Sequence, residues 1–517
     1  MLSSLRTPPP RRAGLKRLPG GVRAALVTLL AGAAGALAFP PLCLVPVLAL
    51  VFPVLLRRVD AARTWRGAFG YGFVFGLGLH TAGLYWLTNA ILIRAADFWW
   101  LVPVAAPGCA LILAPFAAVP AAVCRLVPAG PRRAVLFAGL WTLADMGRVF
   151  LFTGFPWNPL GSAWEWPGRA GQVMIQPAAW IGVDGLTLLT VLMATLVPYG
   201  RRTRLALAAM MMVWGAAGTL RLAIVRPREV PMPAVALVQG NISEETKIAR
   251  DDPLGIFHTY LDLTAEGTAR ARQLGRPDVV FAWPETAFPY VLDREPAAQA
   301  MIARAGGGAT GLIGTLRIGP GEDWHNAIEA IDAGGTVRAH YDKSTLVPFG
   351  EYNPALLPFH VVPGGGFVPG HGVTTWHLPG AGAVGPLICY EVIFSGRVVD
   401  RRDRPDWLVN VTNDAWYGDS AGPRQHLASV RMRAVEEGMP IARAANTGIS
   451  AVYGPTGREI ARLGWGRRGT LVAALPAPLP PTVFALAGRS IPLGMALAAC
   501  ALALVRPRKR QSARLSQ

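Results

Sequence analysis

The sequence predicts a multi-pass α-helical membrane bundle of about eight spans that carries an extracytoplasmic α/β domain. Three observations predict it. The chain has 517 residues, of which 52% are hydrophobic and only 16% charged, an apolar balance even for a globular protein. Its formal net charge of +19 sits in clusters beside long apolar runs, the arrangement of membrane topology rather than of a nucleic-acid-binding surface. A single polar stretch, residues 231–481, interrupts those runs and is long enough to build its own core.

In chain order, residues 1–23 form a basic tail with Arg6, Arg11, Arg12, Lys16, Arg17 and Arg23. Residues 24–225 hold seven runs long enough, or nearly so, to cross a bilayer: 24–41, 42–56, 67–87, 99–123, 134–152, 178–199 and 205–225. Pro40-Pro41 separates the first two, which reads as a tight helical hairpin. An eighth run occupies 482–505, and a second basic tail fills 506–517. Lys and Arg concentrate on the cytoplasmic side of bacterial membranes. With the amino terminus inside, alternation places three basic loops inside as well: Arg57, Arg58, Arg63 and Arg66; Arg125, Arg132 and Arg133; Arg201, Arg202 and Arg204. Arg221, Arg226 and Arg228 break the pattern beyond the seventh run. No small-residue cleavage site marks a signal peptide before the second run. Residues 231–481 therefore belong outside the cytoplasm.

Within that segment, β-type runs (AVALVQG, VVFAWPE, TGLIGTL, NAIEAID, WLVNVTND) are interspersed with helical spacing over 253–274 and 425–437. The glycine-rich VVPGGGFVPGHG, 361–372, matches neither phosphate-binding pattern and reads as a mobile loop over a site or as a plain surface loop. Five cysteines are present, and Cys43, Cys109, Cys124 and Cys500 fall in membrane-type runs where a small soft side chain packs. Only Cys389, in VGPLICYEVIF, lies in the polar segment. No CxxC pair or Cys/His spacing marks a metal site, and no cofactor motif appears.

Three β-type runs end in side chains able to do chemistry: Glu285 in FAWPETAFPY, Lys343 with Glu351 in YDKSTLVPFGEYNP, and Cys389. Each has a bland reading, as a helix cap, a solvated lysine and a core thiol. Together a carboxylate can deprotonate the thiol, and a lysine can stabilise a tetrahedral oxyanion. The order Glu…Lys…Cys resembles the nitrilase (carbon–nitrogen hydrolase) superfamily, which implies an αββα sandwich. The blocks VALVQGNI, WPET, YDKSTLVPFGEYNP, ICYE, NDAWYGDSAGPRQHL and RAVEEGMPIARAANTGIS, with TGFPWNPLG at 153–161 in the membrane part, are similar to those of the apolipoprotein N-acyltransferase family along nearly the whole chain.

The resemblance implies that Glu285 is the general base, Lys343 the oxyanion-side lysine and Cys389 the nucleophile. It implies supporting roles for Glu351, Tyr390 and Glu391. Asn413, Asp414 and Trp416 follow the next strand and are expected at the pocket wall, while Arg443 and Asn446 are read as holding the core together. The implied reaction moves an acyl chain from a membrane phospholipid, through a Cys389 thioester, to the α-amino group of a diacylated apolipoprotein, at the bacterial inner membrane and without cofactor or metal. Two rivals remain open at this level: a membrane-tethered amidase or nitrilase that uses water as acceptor, and a transporter with ionisable residues such as His80, Asp145, Arg148 and Asp184 in its bundle. The chain departs from the family pattern at Ile248, where tryptophan is common, at Met439, where arginine is frequent, and at Asp145, where glutamate is usual.

Overall fold

The computed structural model describes residues 19–93, 98–249, 251–353 and 366–505. Residues 1–18 of the first basic tail, the whole second tail and residues 361–365 of the glycine-rich loop lie outside the described residues.

Among the described residues, twelve strands make two sheets. The first has the order β12-β1-β2-β3-β4-β5, from β1 (Ala234–Gln239), β2 (Val279–Ala282), β3 (Thr310–Ile318), β4 (Trp324–Ile331), β5 (Val337–Asp342) and β12 (Gly469–Ala474). The second has the order β11-β10-β9-β8-β7-β6, from β6 (Trp376–Leu378), β7 (Gly382–Ile388), β8 (Trp407–Thr412), β9 (Ile441–Ala445), β10 (Ser450–Tyr453) and β11 (Glu459–Leu463). Each sheet is parallel at its centre, β1-β2-β3 and β7-β8-β9, and antiparallel towards its edges. The period-2 alternation of a strand sorts side chains between layers. In β1, Val235 and Leu237 join a core with Leu387, Val409 and Ala442 of the other sheet, whereas Ala234, Ala236 and Val238 pack with Phe257 and Tyr260 of the helix Pro253–Arg272. The helix Ala421–Glu437 covers the second sheet. The result is the expected αββα sandwich. Its central parallel strands end on one side, and the β2, β7 and β8 ends there carry the loops of the site.

Every expected span coincides with helix, but not with an unbroken one. Among the described residues, four helical stretches are long and apolar enough to cross a membrane: Gly20–Ala38, Ala105–Leu126 (in two pieces), Ala178–Leu196 and Arg201–Ile224. The other expected spans coincide with Leu48–Ala61, Trp65–Gly83, Pro131–Gly147 and Ser490–Leu504, which fall short in length or mean hydropathy. Two boundaries are corrected. The run 99–123 divides into a short turn, Trp99–Leu101, and two helical pieces, Ala105–Leu113 and Pro115–Val123; Pro115 at the junction has no N–H to continue the hydrogen-bond ladder. The run 482–505 divides into Val483–Ala487 and Ser490–Leu504 at Gly488, whose φ is +62°, a left-handed conformation that ends a helix.

Small residues let these helices approach closely, as membrane interfaces favour. A Cβ at Gly72 would lie 2.6 Å from Ala121 Cβ, and one at Gly76 would lie 3.0 Å from Ala114. Phe52, Phe75, Phe137 and Trp141 fill the bundle core with ring centroids 5.1–6.4 Å apart. Leu26, Leu30, Leu50, Leu111, Met212, Val213, Leu220 and Leu502 stay exposed on its surface. An apolar exterior of this kind is the surface that a bilayer covers.

Candidate active site

Burial and hydrogen bonding gather the predicted residues at the strand ends. Glu285 lies three residues beyond β2, in a turn rather than at a helix cap. Lys343 directly follows β5, and Cys389 directly follows β7 as the first residue of the 3₁₀ turn Cys389–Ile393. The Lys343 ammonium, 1% exposed, donates to Glu285 Oε1 at 3.0 Å and to Glu351 Oε1 at 2.8 Å. Asn326 Nδ2 bridges the same two carboxylates at 2.7 and 3.0 Å. The second oxygen of each is also held: Glu285 Oε2 accepts from the Asn413 N–H at 2.9 Å, and Glu351 Oε2 from the Val347 N–H at 2.9 Å.

These contacts set the charge states. Burial alone would raise the Glu285 carboxyl, but the Lys343 ammonium and the hydrogen bonds from Asn326, Lys343 and Asn413 hold it below the ordinary carboxylate value. Burial would lower Lys343, yet Glu285, Glu351 and Cys389 hold it well above the ordinary lysine value. Burial pushes the Cys389 thiol up, the Glu285 charge adds to this, and Lys343 opposes both. The resting constellation is therefore thiol, carboxylate and ammonium. Proton transfer from the Cys389 sulphur to Glu285 is uphill in this resting arrangement. Once Glu285 is protonated, Lys343 loses half of its carboxylate neutralisation and can turn its charge to a new oxyanion.

The supporting residues divide by role. Glu391 shapes the turn: its Oε2 accepts from Ile388 N–H at 2.8 Å, while Oε1 accepts from Tyr341 OH, Ser344 N–H and Ser344 Oγ, each at 2.7 Å. It therefore ties the start of the Cys389–Ile393 turn to the lysine loop. The Tyr390 ring is a tether, with its hydroxyl donating to Gly154 O and its face stacked on Phe155 at 6.4 Å. Asn413 joins Glu285 to Glu244 through a 2.7 Å bond from Nδ2 to Glu244 Oε2. Trp416 is half-buried on the turn Asp414–Tyr417. A cavity of about 290 Å³ beside it is lined by Glu244, Glu245, Asn89, Ile93, Ala415 and Gly418, and not by Trp416. Arg443 and Asn446 are both fully buried; Asn446 binds Ile242 N–H and O and Asn413 Oδ1, a holding role as expected.

The departures from the family pattern have separate places. Met439 is buried in the sandwich core. Asp145 pairs with Arg148 at 3.0 Å, and Arg148 donates to Trp157 O at 2.8 Å, so this pair braces the TGFPWNPLG loop. Ile248 is 53% exposed on the short helix Glu244–Ala249, whose Glu244 and Glu245 line the cavity. Asp184 pairs with Arg489 at 2.8 Å. Asp145, Arg148 and Asp184 are thus committed to structural ion pairs.

Asn326 escaped the sequence reading although it links both carboxylates. Its signal was present: it shares a phase of β4 with Ile328 and Ala330, which face the inter-sheet core, and a polar residue in that phase must find buried partners.

Comparison with known proteins agrees with this architecture. Residues 31–196 match the family described as apolipoprotein N-acyltransferase N-terminal domain, and residues 234–479 match carbon–nitrogen hydrolase. The chain is 38% identical to the apolipoprotein N-acyltransferase of Rhodopseudomonas palustris, over 97% of this chain and 99% of that one. It is 39% identical to that of Bradyrhizobium diazoefficiens, over 95% of this chain and 96% of that one. Among solved structures, an amidase from Nesterenkonia sp. is 24% identical over 53% of this chain and 98% of its own, with a TM-score of 0.36. With both of its domains matched, and with relatives alike from end to end, the chain belongs to the apolipoprotein N-acyltransferase family.

Proposed function

We propose that the protein is an acyltransferase that completes lipoprotein maturation, moving an acyl chain from a membrane phospholipid to the α-amino group of a diacylglyceryl-cysteine at an apolipoprotein's amino terminus. The observation that carries this reading is the Glu285–Lys343–Glu351 cluster at the strand ends beside Cys389, in a domain joined to an apolar helical bundle. In the first step Glu285 takes the proton from Cys389, and the sulphur attacks the ester carbonyl. Lys343 and backbone N–H groups of the nucleophile turn stabilise the oxyanion. The C–O bond breaks and the lysophospholipid oxygen takes the proton from Glu285, leaving a thioester on Cys389. In the second step the acceptor amine attacks the thioester, Glu285 relays its proton to the departing Cys389 sulphur, and an amide forms.

The protein is an inner-membrane protein in this reading. Eight crossings, with both termini in the cytoplasm and the catalytic domain outside it, agree with the arginine pattern. A bundle of this size suits two substrates with long acyl chains, which can reach the site sideways without leaving the bilayer. A tethered amidase would need only one helix, and a transporter would not need the buried Glu–Lys–Cys cluster.

Incubation with phospholipid and a diacylated lipopeptide tests the assignment. Lysophospholipid and N-acyl peptide are expected in equal amounts. Free fatty acid without N-acyl peptide would establish a hydrolase instead.

A further inference from the structure

A second buried ionic group lies behind the nucleophile, separate from the Glu285–Lys343 cluster. Asp414, His426 and Arg443 are all fully buried. His426 Nδ1 is 2.9 Å from Asp414 Oδ1, and Arg443 Nη2 donates to Asp414 Oδ2 at 2.7 Å. Arg443 Nη2 also lies 3.1 Å from His426 Nδ1, and its Nη1 donates to Asn410 Oδ1 at 2.5 Å. Thr412 Oγ1 adds a 3.1 Å bond to Asp414 Oδ1. The other ring nitrogen, His426 Nε2, is 3.0 Å from the backbone carbonyl of Cys389. A carbonyl oxygen can only accept, so Nε2 carries the proton of that bond. The Cys389 sulphur, an Asp414 oxygen and a His426 nitrogen lie within 4.8 Å of one another. That spacing would suit a cation, but the cationic partner of Asp414 here is the Arg443 guanidinium.

The backbone gives this contact a purpose. Cys389 has φ of +48°, a left-handed conformation that is unfavourable for a non-glycine residue and persists only where its surroundings hold it. Glu391 fixes the N–H before the turn. The carbonyl after the strained φ is held by His426, with Asn410 Nδ2 at 3.4 Å. We propose that His426, oriented by Arg443, which Asp414 in turn holds in place, is a positioning residue for acyl transfer: its Nε2–H pins the Cys389 carbonyl and so keeps the sulphur directed at Glu285 and the following N–H groups directed at the oxyanion.

The same helical turn meets the membrane bundle. Gln425 Oε1 accepts from Trp86 Nε1 at 3.0 Å and Trp157 Nε1 at 2.9 Å, and the Trp157 ring lies 5.4 Å from the His426 ring. Neighbouring residues on one helix thus seat the bundle and the nucleophile.

The proposal rests on the acyl-enzyme reading of Cys389, and its test separates the two. Full-length protein in proteoliposomes is exposed to phospholipid at a series of concentrations, and single-turnover lysophospholipid release is followed with the mass of the thioester adduct. His426→Leu keeps the volume and removes the donor; His426→Gln restores an amide N–H that can reach the carbonyl. His426→Leu is expected to acylate about 30-fold more slowly at saturation, with half-saturation unchanged, and His426→Gln to recover to within about fivefold of wild type. A His426→Leu rate within about threefold of wild type would overturn the proposal. So would equal losses in both variants, or a loss seen in half-saturation alone, since a purely structural role predicts those patterns. Absence of the adduct in wild-type protein would instead overturn the acyl-enzyme reading.

Discussion

At the scale of single residues, chemistry is set by which groups share a proton and which share a charge. Lys343, Asn326 and Asn413 hold the Glu285 carboxyl below the ordinary carboxylate value despite its burial, so the acid limb that this group imposes on thioester formation should lie below the ordinary carboxylate range. Asn326→Leu removes one donor that lowers its pKa, and the acid limb of the rate should move to higher pH; single-turnover lysophospholipid release between about pH 4 and pH 8 measures it. An unmoved limb would assign the Asn326 bond a purely architectural role. Ile248 is 53% exposed on the short helix Glu244–Ala249, whose Glu244 and Glu245 line the cavity, and it offers an apolar contact there. Ile248→Ala forfeits on the order of 1 kcal/mol of such contact, so the KM for phospholipid should rise about fivefold with kcat within twofold. The Glu, Lys and Cys of the site were legible in the sequence because their blocks are distinctive. Asn326 and His426 were not, because one sits inside a strand and the other inside a helix, and only the folded chain shows that they reach Glu285 and Cys389.

At the scale of elements, the loop Thr153–Gly161 matters more than its sequence position between two apolar runs suggests. Thr153 Oγ1 donates to Leu346 O at 2.8 Å in the lysine loop, and Gly154 O accepts from Tyr390 beside the nucleophile. Gly154 has φ of +105°, and a Cβ there would lie 2.7 Å from the Phe394 ring and 2.8 Å from Val149 O. Gly154→Ala is therefore predicted to destabilise the protein by about 1–3 kcal/mol and to slow acylation at least about tenfold; thermal unfolding and single-turnover kinetics check the two parts. Apolar β-type runs made β1, β2, β3, β4 and β8 readable in advance, since these strands are buried largely on both faces, and helical spacing did the same for the helix Pro253–Arg272. The membrane helices were less readable. Hydropathy reports an apolar run but not where Pro115 or Gly488 divides it, and it is silent on the docking contacts that make a short helix sufficient.

At the scale of the whole molecule, two domains share one site. Glu436 of the sandwich accepts from Val183 N–H at 2.7 Å, capping the helix that resumes after the kink at Gly182, while Gln425 receives both Trp86 and Trp157. These joints place the turn Cys389–Ile393 and the helix Ala421–Glu437 directly against the bundle. The arginine pattern predicts that reporters active only outside the cytoplasm will work when fused near residue 231 and fail when fused near Arg63 or Arg202. The opposite pattern would invert the topology and separate the site from its acceptors. The central claim is that Cys389 carries the acyl group between donor and acceptor. Intact-mass spectrometry of the full-length protein after exposure to phospholipid tests it most directly. The account predicts one acyl adduct on Cys389, absent in Cys389→Ser and Glu285→Gln and discharged by a diacylated lipopeptide. An unmodified Cys389 under conditions of steady turnover would contradict it.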